Sequence, residues 1–161
     1  MGRKILFATL TAGLLALGGG TAFAAVGGGP PGADDLAGGN AQDTLLGGPG
    51  KDSLDGRGGD DLIRGEEGDD TLIDLAGVNV LRGGLGDDRN DLILDDAGGD
   101  EFSGGGGDDV IAVPGFGPGP PGLPLESDTI SCGTGYDRVV AHKADRVAGD
   151  CEEVERLGSR N

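Results

Sequence analysis

The chain has 161 residues, a formal net charge of −17 at pH 7, 37 glycines and only 3% aromatic residues. This length allows one small domain, and the scarcity of large apolar side chains excludes a thick core. So negative a charge disfavours nucleic acid and anionic lipid as partners. Acidic, glycine-rich chains are often disordered, so order here depends on strict placement of the few apolar residues.

Residues 1–24 are predicted to be a secretory signal peptide. Arg3 and Lys4 precede an apolar run over residues 5–17, and the segment Ala22-Phe23-Ala24 offers a small-x-small cleavage site. A membrane anchor is the weaker interpretation, because the run is short and is followed by three glycines. We therefore expect an extracellular, secreted protein without a membrane span.

A nine-residue repeat occupies most of residues 25–112. Consecutive units read GGNAQDTLL, GGPGKDSLD, GRGGDDLIR and GEEGDDTLI. The unit that starts at Gly83 is three residues too long, which indicates a bulge at residues 89–91. A fixed period this short predicts a solenoid, in which stacked units build a shared core. The units start at Gly29, Gly38, Gly47, Gly56, Gly65, Asp74, Gly83, Asp95 and Gly104.

Three positions of the unit carry the pattern. Position four is glycine in every unit except one, where Ala41 should weaken its turn because a side chain is disfavoured at positive φ. Position six is acidic or Asn: Asp34, Asp43, Asp52, Asp61, Asp70, Asn79, Asp88, Asp100 and Asp109. Position eight is apolar: Leu36, Leu45, Leu54, Ile63, Leu72, Leu81, Ile93, Phe102 and Ile111.

The unit therefore predicts a glycine-rich loop followed by a three-residue strand. Positions one to six suit a loop, because glycine tolerates positive φ and close approach of other backbone. Positions seven to nine are too short for a helix, and in a strand position eight points to one face while its neighbours point to the other. We expect an all-β fold with position eight in a thin core.

The repeat is interrupted and then resumes. Residues 113–122, VPGFGPGPPG, are predicted to form a Pro/Gly-rich loop. Residues 123–161 contain the last repeats and a C-terminal cap. The frame returns there with Asp128 and Asp137 at position six.

Cys132 and Cys151 are the two cysteines of the chain. An even number in an exported chain favours a disulfide, with free thiols or a metal site as the alternatives. His142 is the single histidine.

The units resemble the G-G-x-G-x-D-x-U-x nonapeptides of the hemolysin-type calcium-binding (RTX) proteins. The likeness covers residues 29–140 apart from the insertion. It implies a right-handed parallel β-roll, or β-solenoid, with two units per turn. It also implies that Ca2+ is held between loops that stack on the same edge. The C-terminal sequence is similar to a capping segment of small exported proteins of this type, in which the two cysteines pair, as a disulfide staple.

The resemblance implies two kinds of calcium ligand, which agree with the preference of calcium for oxygen donors. The position-six carboxylates would be Asp34, Asp43, Asp52, Asp61, Asp70, Asp88, Asp100 and Asp109. The carbonyl-bearing loop glycines would be Gly38, Gly47, Gly50, Gly56, Gly59, Gly65 and Gly68. Loops that include Asn79 or the bulge are the least secure, because Asn79 lacks the charge.

The sequence thus predicts a secreted calcium-binding repeat protein that folds into a β-roll when it binds Ca2+. A surface or adhesion module and a calcium-binding remnant of a secreted enzyme or toxin are the alternatives. Acid pairs such as Asp60-Asp61 have no nucleophile or histidine beside them in the repeat, so we expect no enzyme. Glu152, Glu153 and Glu155 are expected to form a solvated face, and His142 to be an exposed cap residue. Which protein or cell surface is bound stays open.

Overall fold

The computed structural model describes residues 26–86, 92–94, 99–113 and 127–157. Residues 26–28 and 92–94 are described by their backbone alone. The predicted signal peptide, the bulge with Asp88, and most of the predicted loop lie outside the described residues. Within the described ranges, no helix is long and apolar enough to cross a membrane.

The described residues form two sheets of seven parallel strands each. The first sheet contains β1 (Val26–Gly28), β3 (Thr44–Pro49), β5 (Leu62–Glu67), β7 (Val80–Leu85), β9 (Glu101–Gly106), β11 (Thr129–Thr134) and β13 (Arg146–Val147), in that order. The second sheet contains β2 (Asp35–Ala37), β4 (Ser53–Asp55), β6 (Thr71–Ile73), β8 (Leu92–Leu94), β10 (Val110–Ala112), β12 (Arg138–His142) and β14 (Glu153–Leu157). The chain alternates between the sheets, so the fold is a parallel β-solenoid, as the sequence predicted.

The register shows that one turn consists of two nonapeptides. Thr44 pairs with Leu62 in the first sheet, and Ser53 pairs with Thr71 in the second. The backbone bond from Asp61 to the side chain of Asn79 spans 18 residues, and the equivalent bonds span 21 residues across the bulge and 28 across the Pro/Gly-rich insertion. The extra residues therefore leave the strand register intact, because they are accommodated outside the strands.

Position eight supplies the core. Its side chains are 0–5% exposed, and those of the flanking strand residues are largely half-buried, so the predicted inward direction is confirmed. Each such side chain contributes about 1.5–3 kcal/mol by leaving water. Val113, assigned by sequence to the loop, also lies in the core. The buried position-eight residues are Leu36, Leu45, Leu54, Ile63, Leu72, Leu81, Phe102, Ile111, Ile130 and Val139.

Glycine permits the close stacking of the loops. At position four, Gly68 has a φ of 126°, and an added Cβ would collide with the carbonyl of Gly50 in the preceding turn. Arg57 and Glu66 are the non-glycine residues at positive φ in the described ranges. The expectation that Ala41 strains its turn is therefore wrong, because Ala41 does not adopt a positive φ.

The C-terminal segment continues the solenoid with one further strand in each sheet, β13 and β14. The Cys132–Cys151 disulfide is present, with a sequence separation of 19. It joins β11 to the segment between β13 and β14. This confirms the predicted staple. Strand β14 is largely exposed at the sheet edge, and its charged residues disfavour pairing with another chain. His142 is half-buried rather than exposed. Its backbone amide donates a hydrogen bond to the carboxylate of Asp145.

The core depends on single side chains, which makes each one costly to remove. We expect Leu54→Ala to lower the free energy of unfolding by about 2–5 kcal/mol, measured by urea denaturation in saturating calcium. The adjacent outward-facing change Ser53→Ala should stay within about 0.5 kcal/mol of wild type. Equal effects of the two variants would contradict the assignment of Leu54 to the core.

The disulfide closes the last turn against the rest of the solenoid. The double variant Cys132→Ala/Cys151→Ala should be about 3 kcal/mol less stable than the oxidised wild type, because the unfolded chain regains loop entropy. The reduced wild-type chain is the matched control and should lose a similar amount. Unchanged urea midpoints for both would show that the bond contributes nothing to stability.

Candidate metal centre

The position-six residues stack in two files, one along each edge of the solenoid. The Asp52 file contains Asp34, Asp52, Asp70, Asp109 and Asp137. Successive members are one turn apart, except that Asp109 lies two turns from Asp70. The Asp34 and Asp52 amides donate to the Oδ1 atoms of Asp52 and Asp70, both at 2.8 Å, and the Asp109 amide donates to Asp137 Oδ1 at 2.9 Å. These residues are buried. One oxygen of each accepting carboxylate thus joins a turn to its neighbour.

The Asp61 file runs along the opposite edge and contains Asp43, Asp61, Asn79, Asp100 and Asp128. The Asp43 amide donates to Asp61 Oδ1 at 2.7 Å, and the Asp61 amide donates to Asn79 Oδ1 at 2.8 Å. The Asp100 amide donates to Asp128 Oδ1 at 2.9 Å. An amide side chain therefore serves as well as a carboxylate for this bond, because only one acceptor oxygen is required.

The second carboxylate oxygen has a different environment. The Oδ2 atoms of Asp34, Asp52, Asp61 and Asp137 are buried and accept no hydrogen bond. A buried charged oxygen without a donor costs free energy unless a cation or a proton compensates it. The position-six residues therefore offer one oxygen for the fold and one for a positive charge.

The position-one glycines lie directly opposite these oxygens. At Gly47, the point that a Cβ would occupy is 2.6 Å from Asp52 Oδ2 and 2.6 Å from the carbonyl oxygen of Gly65. At Gly38, the same point is 2.6 Å from Asp43 Oδ2 and 2.7 Å from the carbonyl oxygen of Gly56. We call this space, beside a position-one glycine and facing the carboxylate of the same unit, a cradle. Any side chain would fill it.

Carboxylate and backbone carbonyl oxygens are the donors that calcium prefers, so the cradle residues fit calcium. The hemolysin-type calcium-binding family model, described as RTX calcium-binding nonapeptide repeat (4 copies), matches residues 31–63, 55–89 and 86–112. Together these matches cover just over half of the chain. The chain belongs to the RTX calcium-binding repeat family. No curated protein and no solved structure matches the chain.

The structure brings most of the predicted RTX ligands together. Seven of the eight predicted aspartates are buried in the two files: Asp34, Asp43, Asp52, Asp61, Asp70, Asp100 and Asp109. Gly38, Gly47, Gly56 and Gly65 line cradles. Gly50, Gly59 and Gly68 lie at position four, where they contact the backbone of a neighbouring turn instead. Asp88 lies outside the described residues.

Sequence reasoning missed the residues that end the two files. Asp145 Oδ1 accepts the Asp128 amide at 3.3 Å, and Glu152 Oε2 accepts the Asp137 amide at 2.9 Å. Glu152 is exposed, as expected of a solvated face, but its carboxylate also takes the place of a position-six aspartate. The last turns are shorter, with spans of 17 and 15 residues for these two bonds, so the nine-residue period could not reveal them.

The first acid of an Asp-Asp pair also has a structural role. Asp60 Oδ1 accepts the Val78 amide at 3.0 Å, and Asp108 Oδ1 accepts the Tyr136 amide at 2.9 Å. These carboxylates therefore join the tips of successive loops. Such contacts fix the spacing of the RTX loops.

Burial raises the pKa of several carboxyl groups in the ion-free protein. Loss of hydration raises the pKa of Asp52, Asp61 and Asp137. The hydrogen bonds that these carboxylates accept from backbone amides lower the pKa by a smaller amount. Burial, reinforced by the neighbouring Asp61, raises the pKa of Asp74 to about 7. When no cation is bound, the fold therefore holds the protons of these groups more tightly than the unfolded chain does.

The raised pKa values predict how the ion-free fold responds to pH. Because the folded state binds these protons more tightly than the unfolded state does, protonation stabilises the fold. With a chelator present, the folded fraction should rise as the pH falls from about 7, the pKa of Asp74, toward 3.8, the ordinary value. Circular dichroism measures this fraction. A folded fraction that falls over this interval would contradict the assignment, and Asp74→Asn should flatten the dependence near neutral pH.

Proposed function

We propose that this protein is a secreted calcium-binding module that folds into its β-solenoid when it binds calcium, and that it is not an enzyme. The observation that carries the proposal is the convergence of a buried carboxylate oxygen and a carbonyl oxygen at each cradle, as at Gly47. RTX repeats bind calcium as structural ions. The files of aspartates supply the matching negative charge.

The chain's own residues make the fold dependent on a cation. Each turn buries position-six carboxylates, and the net charge of −17 adds repulsion between turns. One apolar side chain per unit gives little burial to offset the entropy of ordering a glycine-rich loop. Bound calcium would supply the positive charge that these carboxylates lack, so that binding free energy becomes folding free energy. We expect weak affinity, about 10⁻⁴ to 10⁻³ M per site, as in other extracellular modules.

Two features support an extracellular location. Disulfides persist in oxidising compartments, and Cys132 is joined to Cys151. RTX repeats are also typical of secreted proteins. The weak calcium affinity expected for these sites is also the affinity typical of extracellular modules.

The proposal that the protein is not an enzyme rests on what its acids do. The acids of the Asp-Asp pairs accept hydrogen bonds from backbone amides, as Asp60 and Asp61 do, and the position-six acids also face a cradle glycine. A carboxylate held in this way is a structural ligand and is poorly placed for general acid or base work on a substrate.

The variants Asp52→Asn and Asp61→Asn test the proposed function. Asn keeps the acceptor oxygen of the file, as Asn79 shows, but removes the charge of the second oxygen. Each variant should raise the calcium midpoint for gain of β structure by about tenfold, the effect of about 1.4 kcal/mol of lost interaction. Circular dichroism during calcium titration measures the midpoint.

Asp55→Asn is the matched control. Asp55 lies on β4 between these two residues in sequence, and its half-exposed carboxylate is 3.8 Å from Arg57 Nε. It should leave the midpoint unchanged. If Asp52→Asn and Asp61→Asn behave like this control, the two residues are not ligands. If the wild-type chain gains no β structure with calcium, the proposed function is wrong.

A further inference from the structure

Asp74 occupies a position that other units reserve for glycine. It is position one of its unit, and it is fully buried. Its Oδ1 accepts the amides of Leu75 at 2.7 Å and Ala76 at 3.3 Å, which holds the side chain in its own loop. Its Oδ2 is buried and accepts no hydrogen bond. Apart from the side chain of Asp61, this second oxygen has no partner in the ion-free fold.

The free oxygen of Asp74 points into the cradle beside Gly56. In other cradles, such as those at Gly38 and Gly47, the carboxylate of the same unit faces a backbone carbonyl of the next turn. At Gly56, the atom nearest to the Cβ position is Asp74 Oδ2, the next is Asp61 Oδ2 at 2.7 Å, and no carbonyl oxygen is among the three nearest atoms. Two buried carboxyl groups, which hydrogen-bond only each other through these oxygens in the ion-free protein, thus converge on one cradle, and Ile63 closes its inner side.

The same loop lacks the usual acid at position six. Asn79 stands there, and its Oδ1 continues the file by accepting the Asp61 amide at 2.8 Å. The loop from Asp74 to Asn79 therefore still carries one carboxylate, but at its first position rather than its sixth. The loss at Asn79 and the gain at Asp74 concern the same pair of turns.

We propose that Asp74 and Asp61 together form a divalent-cation site at the Gly56 cradle, in which Asp74 takes the place of the backbone carbonyl found in the other cradles. The inference rests on the proposed calcium binding of the repeats and adds a ligand outside their consensus. With two carboxylates instead of one carboxylate and one carbonyl, this cradle carries more negative charge than its neighbours. Calcium affinity rises with the charge of the ligands, so this site fills at lower calcium than the others.

The variant Asp74→Asn separates this role from a purely structural one. Asn retains an acceptor for the Leu75 and Ala76 amides, so the loop keeps its shape, but the second carboxylate is lost. We expect about a tenfold higher midpoint for the first phase of calcium binding, followed by calorimetry with calcium chloride. In chelator, the variant should be at least as stable as wild type, because an uncompensated buried charge has been removed.

Two further variants complete the experiment. Asp55→Asn removes a charge close by but outside the cradle and should titrate like wild type. Asp74→Gly removes the whole side chain from the Gly56 cradle and should raise the midpoint of the first phase as Asp74→Asn does.

The outcomes distinguish this inference from the proposed function. If wild type binds calcium and Asp74→Asn titrates like Asp55→Asn, the Asp61–Asp74 site is wrong and the RTX function stands. An Asp74→Asn chain that is less stable than wild type in chelator would also overturn the site, because Asp74 would then be a structural acid. If wild type binds no calcium, the proposed function fails first.

Discussion

Stacked carboxylates govern this structure, because each turn places a buried aspartate directly above that of the turn before. One oxygen of the side chain binds the neighbouring backbone amide and so helps to define the turn. In Asp34, Asp52 and Asp61 the other oxygen is left without a donor, in a cradle that only glycine permits. The residues that build the solenoid are thus the same residues that oppose it electrostatically. A cation resolves this conflict, which explains why binding and folding are expected to be one process.

The thin core makes that dependence unavoidable. Leu54 and Ile63 are completely buried, but each is the single inward side chain of its strand. The surrounding loops contain glycine, whose ordering costs more backbone entropy than that of other residues. A protein with a large core could tolerate a few buried charges, whereas this one has little apolar burial to set against them. The disulfide at the C-terminal turn adds stability without requiring more core.

Much of the fold could be predicted from the nonapeptide, because its period fixes both the strand positions and the vertical alignment of equivalent residues. The inward direction of Leu54 and the stacking of Asp52 follow from that pattern. The pairing of Cys132 with Cys151 follows from the even cysteine count and from the resemblance to small exported RTX proteins. The roles of residues that depend on contacts between turns could not be predicted from the nonapeptide. The sequence shows Asp74 in place of glycine at position one, but its contact with Asp61 becomes visible only when the turns are stacked. Glu152 was missed because the last turn is shortened, which moves its acceptor out of the nine-residue frame.

The most direct test of the account is hydrogen exchange at the position-six amides. The amides of Asp34, Asp43 and Asp52 donate to the carboxylates of the next turn, so they report on stacking itself. With saturating calcium, we predict that these amides are strongly protected and exchange together in one cooperative unit. In chelator at neutral pH, they should exchange at the rate of an unfolded chain. Equal protection with and without calcium would show that the aspartate files are stable alone, and would contradict the account.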